Sequence, residues 1–305
     1  MENYQENISI NSILWKGKWK VAGITVFFAV LSIILSLNLT NIYQANAILA
    51  PVSDDGGAGA GLAGLSQLGG LASLAGMDIG GVKTDKTLLA IEYLRSRTFL
   101  IDFINKHQVK VPLFAAKSWD PLTREMKLDP DIYDEKNNKW LRTVDAPRQP
   151  EPSGWESYEM FLELLTVDRD SKSGLVTLSV EHVSPELAYR WTRLLIDDLN
   201  DFMRTKDTLE ANNSISFLEQ QITQISVAGI QKVIYGLIEE QLKTKMLAQV
   251  REEYVFSYVD PPVIPEQKIK PRRAVICIIG TFAGGLFGCI TVIYAGLFRA
   301  RKKHS

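Results

Sequence analysis

The sequence predicts an α+β domain with a long extended helix, anchored by two transmembrane helices, one N-terminal and one C-terminal. Three observations lead there. Residues 21–39, "VAGITVFFAVLSIILSLNL", carry no charge, and roughly 19 such residues cover a hydrocarbon core of about 30 Å. Residues 274–298, "AVICIIGTFAGGLFGCITVIYAGLF", do the same over about 25 residues. The polar stretch between them, residues 40–273, holds nearly all the acidic side chains and alternates strand-like with helix-like patterns. A formal net charge of −1 over 305 residues gives no bulk bias toward nucleic acid.

Orientation follows from the flanks. Lys16, Lys18 and Lys20 precede the first span, and the next basic residue after it is Lys83. Positive charge stays in the cytoplasm, so residues 1–20 are expected inside and the loop outside; an even number of crossings returns the tail, residues 299–305, to the cytoplasm. In a bacterial source this is a multi-pass inner-membrane protein with a large periplasmic domain. A cleaved secretory signal is the alternative for the first span, since Ala45 to Ala47 ("ANA") fit a small-x-small cleavage site. The apolar run exceeds the roughly 7–15 residues of a signal core, which favours an uncleaved anchor. Both cysteines, Cys277 and Cys289, fall inside the second span, and a loop without thiols suits an oxidising compartment.

Along the loop, Tyr43, Ala45, Ala47 and Leu49 alternate with Gln44, Asn46 and Ile48, the period of a strand. Residues 56–81 form a glycine-rich loop with interleaved Leu and Ala, expected to be pliable. Residues 84–107 read as two short helices, the first with a Leu88, Ile91 and Leu94 or Tyr93 stripe, the second capped by Ser96 and carrying Phe99, Phe103 and Ile104. Five prolines make 117–155 irregular, and Trp119, Trp140 and Trp155 within it suit either pinning the segment or stacking on sugar. "FLELLTVDRD" and "GLVTLSVEH" are expected as a hairpin of strands joined by "DSKSG". A helix then starts at Ser184 as N-cap, with Pro185 at its first position, Glu186 in its first turn, and Leu187, Trp191, Leu194 or Leu195, and Phe202 on its buried stripe.

No proline interrupts 208–254. Ile215, Leu218, Ile222 and Ile225 are spaced as in a coiled-coil seam, and Leu242, Met246, Val250 and Tyr254 resume it at fours. One continuous helix there would be about 70 Å long, with its apolar face set against copies of itself; two helices broken at Gly229 and Gly236 are the alternative. "EYVFSYV" reads as a last strand returning to the sheet.

The approach to the second span, residues 260–273, concentrates Pro261, Pro262, Pro265 and Pro271 with Lys268, Lys270 and Arg272. Proline fixes φ and removes a backbone donor, so this linker is expected to be extended and semi-rigid. Its cations suit the phosphates of headgroups or of a lipid-linked substrate. Within the second span Gly280, Gly284 and Gly288 lie four apart, a spacing that lets a second helix approach closely. The first span and a neighbouring subunit are both candidates for that helix.

Two terminal spans bracketing such a domain, closed by "PPVIPEQKIKPRRAVI", resemble the Wzz-type chain-length determinants, the polysaccharide co-polymerases. Pro261, Pro262, Pro265, Lys268, Lys270, Pro271 and Arg272 match that family's proline- and lysine-rich motif, and "LIEEQLKTKMLAQVREEYVF" resembles the stretch ahead of it. The glycine-rich segment and the region 117–155 depart from the family's pattern. The resemblance implies a non-catalytic regulator of O-antigen or other surface polysaccharide length in lipopolysaccharide biosynthesis. Such a protein would act as a homo-oligomeric ring, without cofactor, beside a Wzy-type polymerase and near its lipid-linked polysaccharide. Capsule or exopolysaccharide assembly or export is the alternative within that class.

An enzyme is not expected. The histidines are His107, His182 and His304, and no His/Cys/carboxylate cluster has ligand spacing, so no catalytic, cofactor-binding or metal residue is assigned. No GxxxxGK[ST] occurs, so a fused kinase is not expected either. A two-span periplasmic sensor shares the topology but needs a cytoplasmic effector domain, for which the short tail leaves no room.

Overall fold

A computed structural model describes residues 10–52, 85–225 and 227–303, so the expected glycine-rich loop at 56–81 lies outside the described residues. In chain order the elements are α1 (Ile10–Asn38), β1 (Ile42–Pro51), α2 (Lys86–Arg95), α3 (Arg97–Lys106), α4 (Lys110–Ala115), β2 (Ala116–Asp120), β3 (Glu125–Leu128), β4 (Tyr133–Asp134) and β5 (Lys139–Trp140). Then follow α5 (Gly154–Leu164), β6 (Leu165–Arg169), β7 (Val176–His182), α6 (Pro185–Ile222), α7 (Ala228–Val250), β8 (Phe256–Asp260), β9 (Lys268–Lys270) and α8 (Arg273–Lys303). They form two compact units: the chain up to Ile42 together with Gln267 onward, and Tyr43–Glu266.

In the larger unit, strands pair in the order β6–β7–β1–β8. The antiparallel register aligns Leu165, Val180 and Ala45 in one cross-strand row, and Val167, Leu178 and Ala47 in the next. Val176 lies opposite Leu49. Ala45, Ala47, Leu49, Val176, Leu178 and Val180 are all buried, so the period-two pattern does lay one apolar face along the sheet. The core cluster on that face adds Trp191, Leu195, Leu199 and Met203 of α6, Phe99, Phe103 and Ile104 of α3, and Phe161 of α5.

Local chemistry sets the helix starts. The Asp85 carboxylate accepts from the Thr87 N–H at 3.0 Å, and Arg169, 2.6 Å away, holds that carboxyl below its usual range. Ser96 caps α3 through the Phe99 N–H. Ser184 caps α6, with Pro185 at the first position.

Several expectations are corrected. On α2 the buried set is Thr87, Ala90, Ile91 and Leu94, while Leu88 is 51% exposed. Residues 161–164 are helical, not strand, because a capping box of Ser153 and Glu156 starts α5 and carries it to Leu164. The stretch 117–155 holds two hairpins, β2–β3 and β4–β5. Trp140 is pinned there by Tyr133 and Phe114, at ring centroids of 5.0 and 6.3 Å. On α6, Phe202 is 37% exposed and Ala188, Ile196 and Leu199 are buried in its place.

The continuous helix expected over 208–254 is two helices, and neither Gly229 nor Gly236 is the break. The long rod begins earlier: α6 has 38 residues, about 57 Å at 1.5 Å each. It stops at Thr223, whose hydroxyl bonds back to the Gln220 carbonyl, while the Gln231 amide takes the Ile225 carbonyl. Then α7 returns beside α6, with Tyr254 donating to Asp207 at 2.8 Å and Arg204 to the Arg251 carbonyl at 3.3 Å. Both glycines sit inside α7.

Two buried polar side chains lock this unit. The Asn200 carboxamide of α6 accepts from the N–H groups of Val255 and Phe256, at 2.8 and 3.0 Å, and donates to the Phe256 carbonyl at 3.1 Å. It thereby ties the helix to the start of β8. Asn200→Ala would leave these buried groups unpaired, and the full-length chain in detergent should lose about 3 kcal/mol in a urea titration. His182 accepts from the Ser184 N–H through Nδ1 at 3.0 Å, so its proton sits on Nε2, which donates to the Pro112 carbonyl at 3.1 Å. Burial holds its pKa below the usual 6.5. The neutral ring therefore stabilises the fold fully above pH about 6.5, and that contribution falls as pH drops below it. Thermal melts should show this acid-side decline, and His182→Asn should remove the ring's share of it.

Candidate functional site

The smaller unit holds the two long apolar helices. Lys18–Asn38 and Arg273–Tyr294 are helical stretches long and apolar enough to cross a membrane. The helices containing them, α1 and α8, pack on each other through the small residues of α8. A Cβ added at Gly280 would stand 2.5 Å from the Ser32 Cβ, at Gly284 2.6 Å from the Phe28 Cβ, and at Gly288 3.2 Å from the Val21 Cα. All three glycines thus face α1 within one chain. Backbone approach this close gains dispersion contacts where no hydrophobic driving force operates between helices. Phe28 also meets Phe287, ring centroids 5.9 Å apart.

Four hydroxyls inside the spans turn back on their own helices, while the buried Ser36 hydroxyl has no partner among the described residues. Ser32 donates to the Phe28 carbonyl, Thr25 to Val21, Thr281 to Cys277 and Thr291 to Gly288. Cys277 and Cys289 are free thiols on α8.

Ahead of α8, residues 261–265 adopt no regular element and β9 follows at Lys268–Lys270. Pro262 is buried, Pro261 exposed and Pro265 half-buried. Proline at these positions excludes a helix and leaves only a short strand between Pro265 and Pro271. Lys268, Lys270 and Arg272 are exposed. Lys268 Nζ donates to Asn41 Oδ1 at 2.9 Å, and Arg273 Nη2 reaches the same oxygen at 3.2 Å. Asn41 carries no motif or periodicity, so sequence reasoning does not find it; it follows the first span by three residues and becomes significant only when α1 and α8 lie together.

The seam residues Ile215, Leu218, Ile222 and Ile225 are half-buried in the single chain, near the end of α6. On α7, Ile234 and Ala248 are buried, whereas Leu242, Met246 and Val250 are 43%, 63% and 82% exposed. The apolar surface left open on this helical pair therefore lies largely on α7.

Elsewhere several titratable groups form structural pairs. His107 meets Asp198 at 2.7 Å, and Lys106 reaches the other oxygen of that carboxylate at 2.7 Å. Burial raises the pKa of Asp197, and burial with the neighbouring Asp197 charge raises that of Tyr258, which donates to it. Among the described residues no group of three or more His, Cys, Asp or Glu side chains is placed to hold a metal ion. Trp155 is 51% exposed, its indole N–H held by Glu159 at 2.7 Å.

The helix pairing is open to direct test. Gly280→Ala should cost about 1–3 kcal/mol in a detergent unfolding titration, because the new methyl meets Ser32. Ser32→Gly in the same chain should recover much of the loss, a coupling that a double-mutant cycle reads directly.

A comparison with curated proteins found no match. Among solved structures, a full-length bacterial polysaccharide co-polymerase is similar at 13% identity, with a TM-score of 0.42 over 96% of this chain and 98% of that one. A fragment of WzzB, the polysaccharide co-polymerase from Salmonella Typhimurium, is similar at 13% identity, with a TM-score of 0.28 over 75% of this chain and 100% of that one. The family model described as Wzz, chain length determinant protein, matches residues 8–107. That match covers about a third of the chain, at its N-terminal end.

Proposed function

We propose that this protein is a non-catalytic regulator of surface-polysaccharide chain length, acting as an oligomeric co-polymerase with a Wzy-type polymerase in O-antigen synthesis. The observation that carries the reading is the family match over residues 8–107, which takes in the whole first span and the central strand of the sheet. The paired spans, the domain between them and the proline segment support it.

In this reading both termini are cytoplasmic and Tyr43–Glu266 is periplasmic, as the lysines before the first span favour. Copies associate through the helical pair. Leu242, Met246 and Val250 offer more open apolar surface than the half-buried Ile215, Leu218, Ile222 and Ile225. Regulation is geometric: the proline segment sets how the chain enters its second span, and the span pair presents itself to the polymerase. No step requires a reacting side chain.

A gel of lipopolysaccharide from a knockout strain and its complemented counterpart tests this. Loss of the chain should abolish the preferred polymer length, and complementation should restore it. Pro261→Ala with Pro262→Ala should shift or broaden the ladder while the protein still inserts in the membrane. A ladder indifferent to the knockout would defeat the O-antigen assignment.

A further inference from the structure

The start of α8 concentrates positive charge. A helix N-terminus carries roughly half a positive charge and favours acidic side chains, yet α8 has no acidic residue in its first turn. Arg272 and Arg273 stand there instead, with Lys268 and Lys270 just before them. No acidic residue occurs in 36–42 or in 267–273, the two stretches that meet at this end of the spans.

The side-chain geometry sharpens the conflict. Lys268 and Arg273 converge on one neutral oxygen, Asn41 Oδ1, at 2.9 and 3.2 Å. Two full cations therefore lie within about 6 Å of each other, where like charges repel. An amide oxygen aligns them but cancels neither charge. Arg273 Nε, a donor that cannot be deprotonated, is buried and has no acceptor among the described residues. Two converging cations, an unanswered guanidinium donor and the positive end of a long helix together make a site suited to an anion.

We propose that this end of the span pair binds the phosphate of an anionic membrane lipid, held by Arg273 and Lys268 with Asn41 orienting both. A phosphate offers several oxygens to a guanidinium fork and an ammonium at once. Headgroup phosphates are concentrated at the end of a span, and each nearby cation contributes about a fivefold gain in affinity for an anionic surface. A phospholipid and a polyprenyl diphosphate share this chemistry. The site does not depend on the chain-length reading, and its failure would leave that reading standing.

Native mass spectrometry of the full-length chain in detergent tests the proposal, with phosphatidylglycerol, phosphatidylcholine, geranylgeranyl diphosphate and inorganic phosphate as probes. The wild-type chain should retain phosphatidylglycerol or geranylgeranyl diphosphate in preference to phosphatidylcholine; whichever is held tighter identifies the source of the phosphate. Lys268→Gln with Arg273→Gln should weaken retention about 30-fold, and Arg273→Lys should keep most of it. Without lipid the double variant should melt no lower than wild type, because it removes repulsion. Undiminished binding by the double variant, equal retention of phosphatidylcholine, or full competition by equimolar inorganic phosphate would overturn the assignment. A lower melting temperature without lipid would also overturn it, marking the two cations as structural.

Discussion

The structure depends on β1 lying in the interior of its sheet, paired on one side with β7 and on the other with β8. A chain that enters a domain from one terminal helix and leaves it toward another gains from having its entry and exit strands as neighbours. Antiparallel pairing of β1 with β8, Pro51 opposite Phe256 and Ile48 opposite Asp260, meets that need inside the domain. Non-local pairing of this kind carries a loop-closure cost that local contacts cannot offset. It is repaid by the buried face of Ala45, Ala47 and Leu49 and by the Asn200 carboxamide, which positions the start of β8 against α6.

The paired apolar helices follow different energetics. Apolar side chains gain little by leaving lipid for another helix, so association must come from close contact and from satisfied polar groups. Gly280, Gly284 and Gly288 bring the backbones together, and Ser32 and Thr25 bond to their own helices, leaving the interface well packed. The same closeness brings Asn41, three residues beyond the end of α1, to the cations ahead of α8. Packing in the apolar region thus creates an electrostatic feature at its border.

Much of the fold was legible because its signals are local. The apolar runs mark both terminal helices, period-two burial marks β1 and β7, and Ser96, Ser184 and Pro185 mark helix starts by their own hydrogen-bonding chemistry. The errors arose where two local signals compete. Residues 161–164 suit a strand by composition, yet the capping box at Ser153 and Glu156 propagates a helix through them. Between Thr208 and Tyr254 the absence of proline permits a single rod, but side chains at Thr223 and Gln231 take over backbone carbonyls and the chain reverses. Leu242, Met246 and Val250 have seam spacing and nevertheless remain exposed, because α6 already covers the other face of α7.

By itself the sequence determined that two helices are long and apolar enough to span a membrane, that the domain between them mixes strands with helices, and that cations and prolines crowd one border. Each of these follows from hydropathy, periodicity or φ restriction within a few neighbouring residues. Tertiary structure decided which partner the glycine face meets, where the long helix turns back, and that Asn41 unites Lys268 with Arg273. The helix pairing and the Asn41 contacts join residues more than 200 positions apart, the turn-back joins residues 47 apart, and only packing reads distances of that kind.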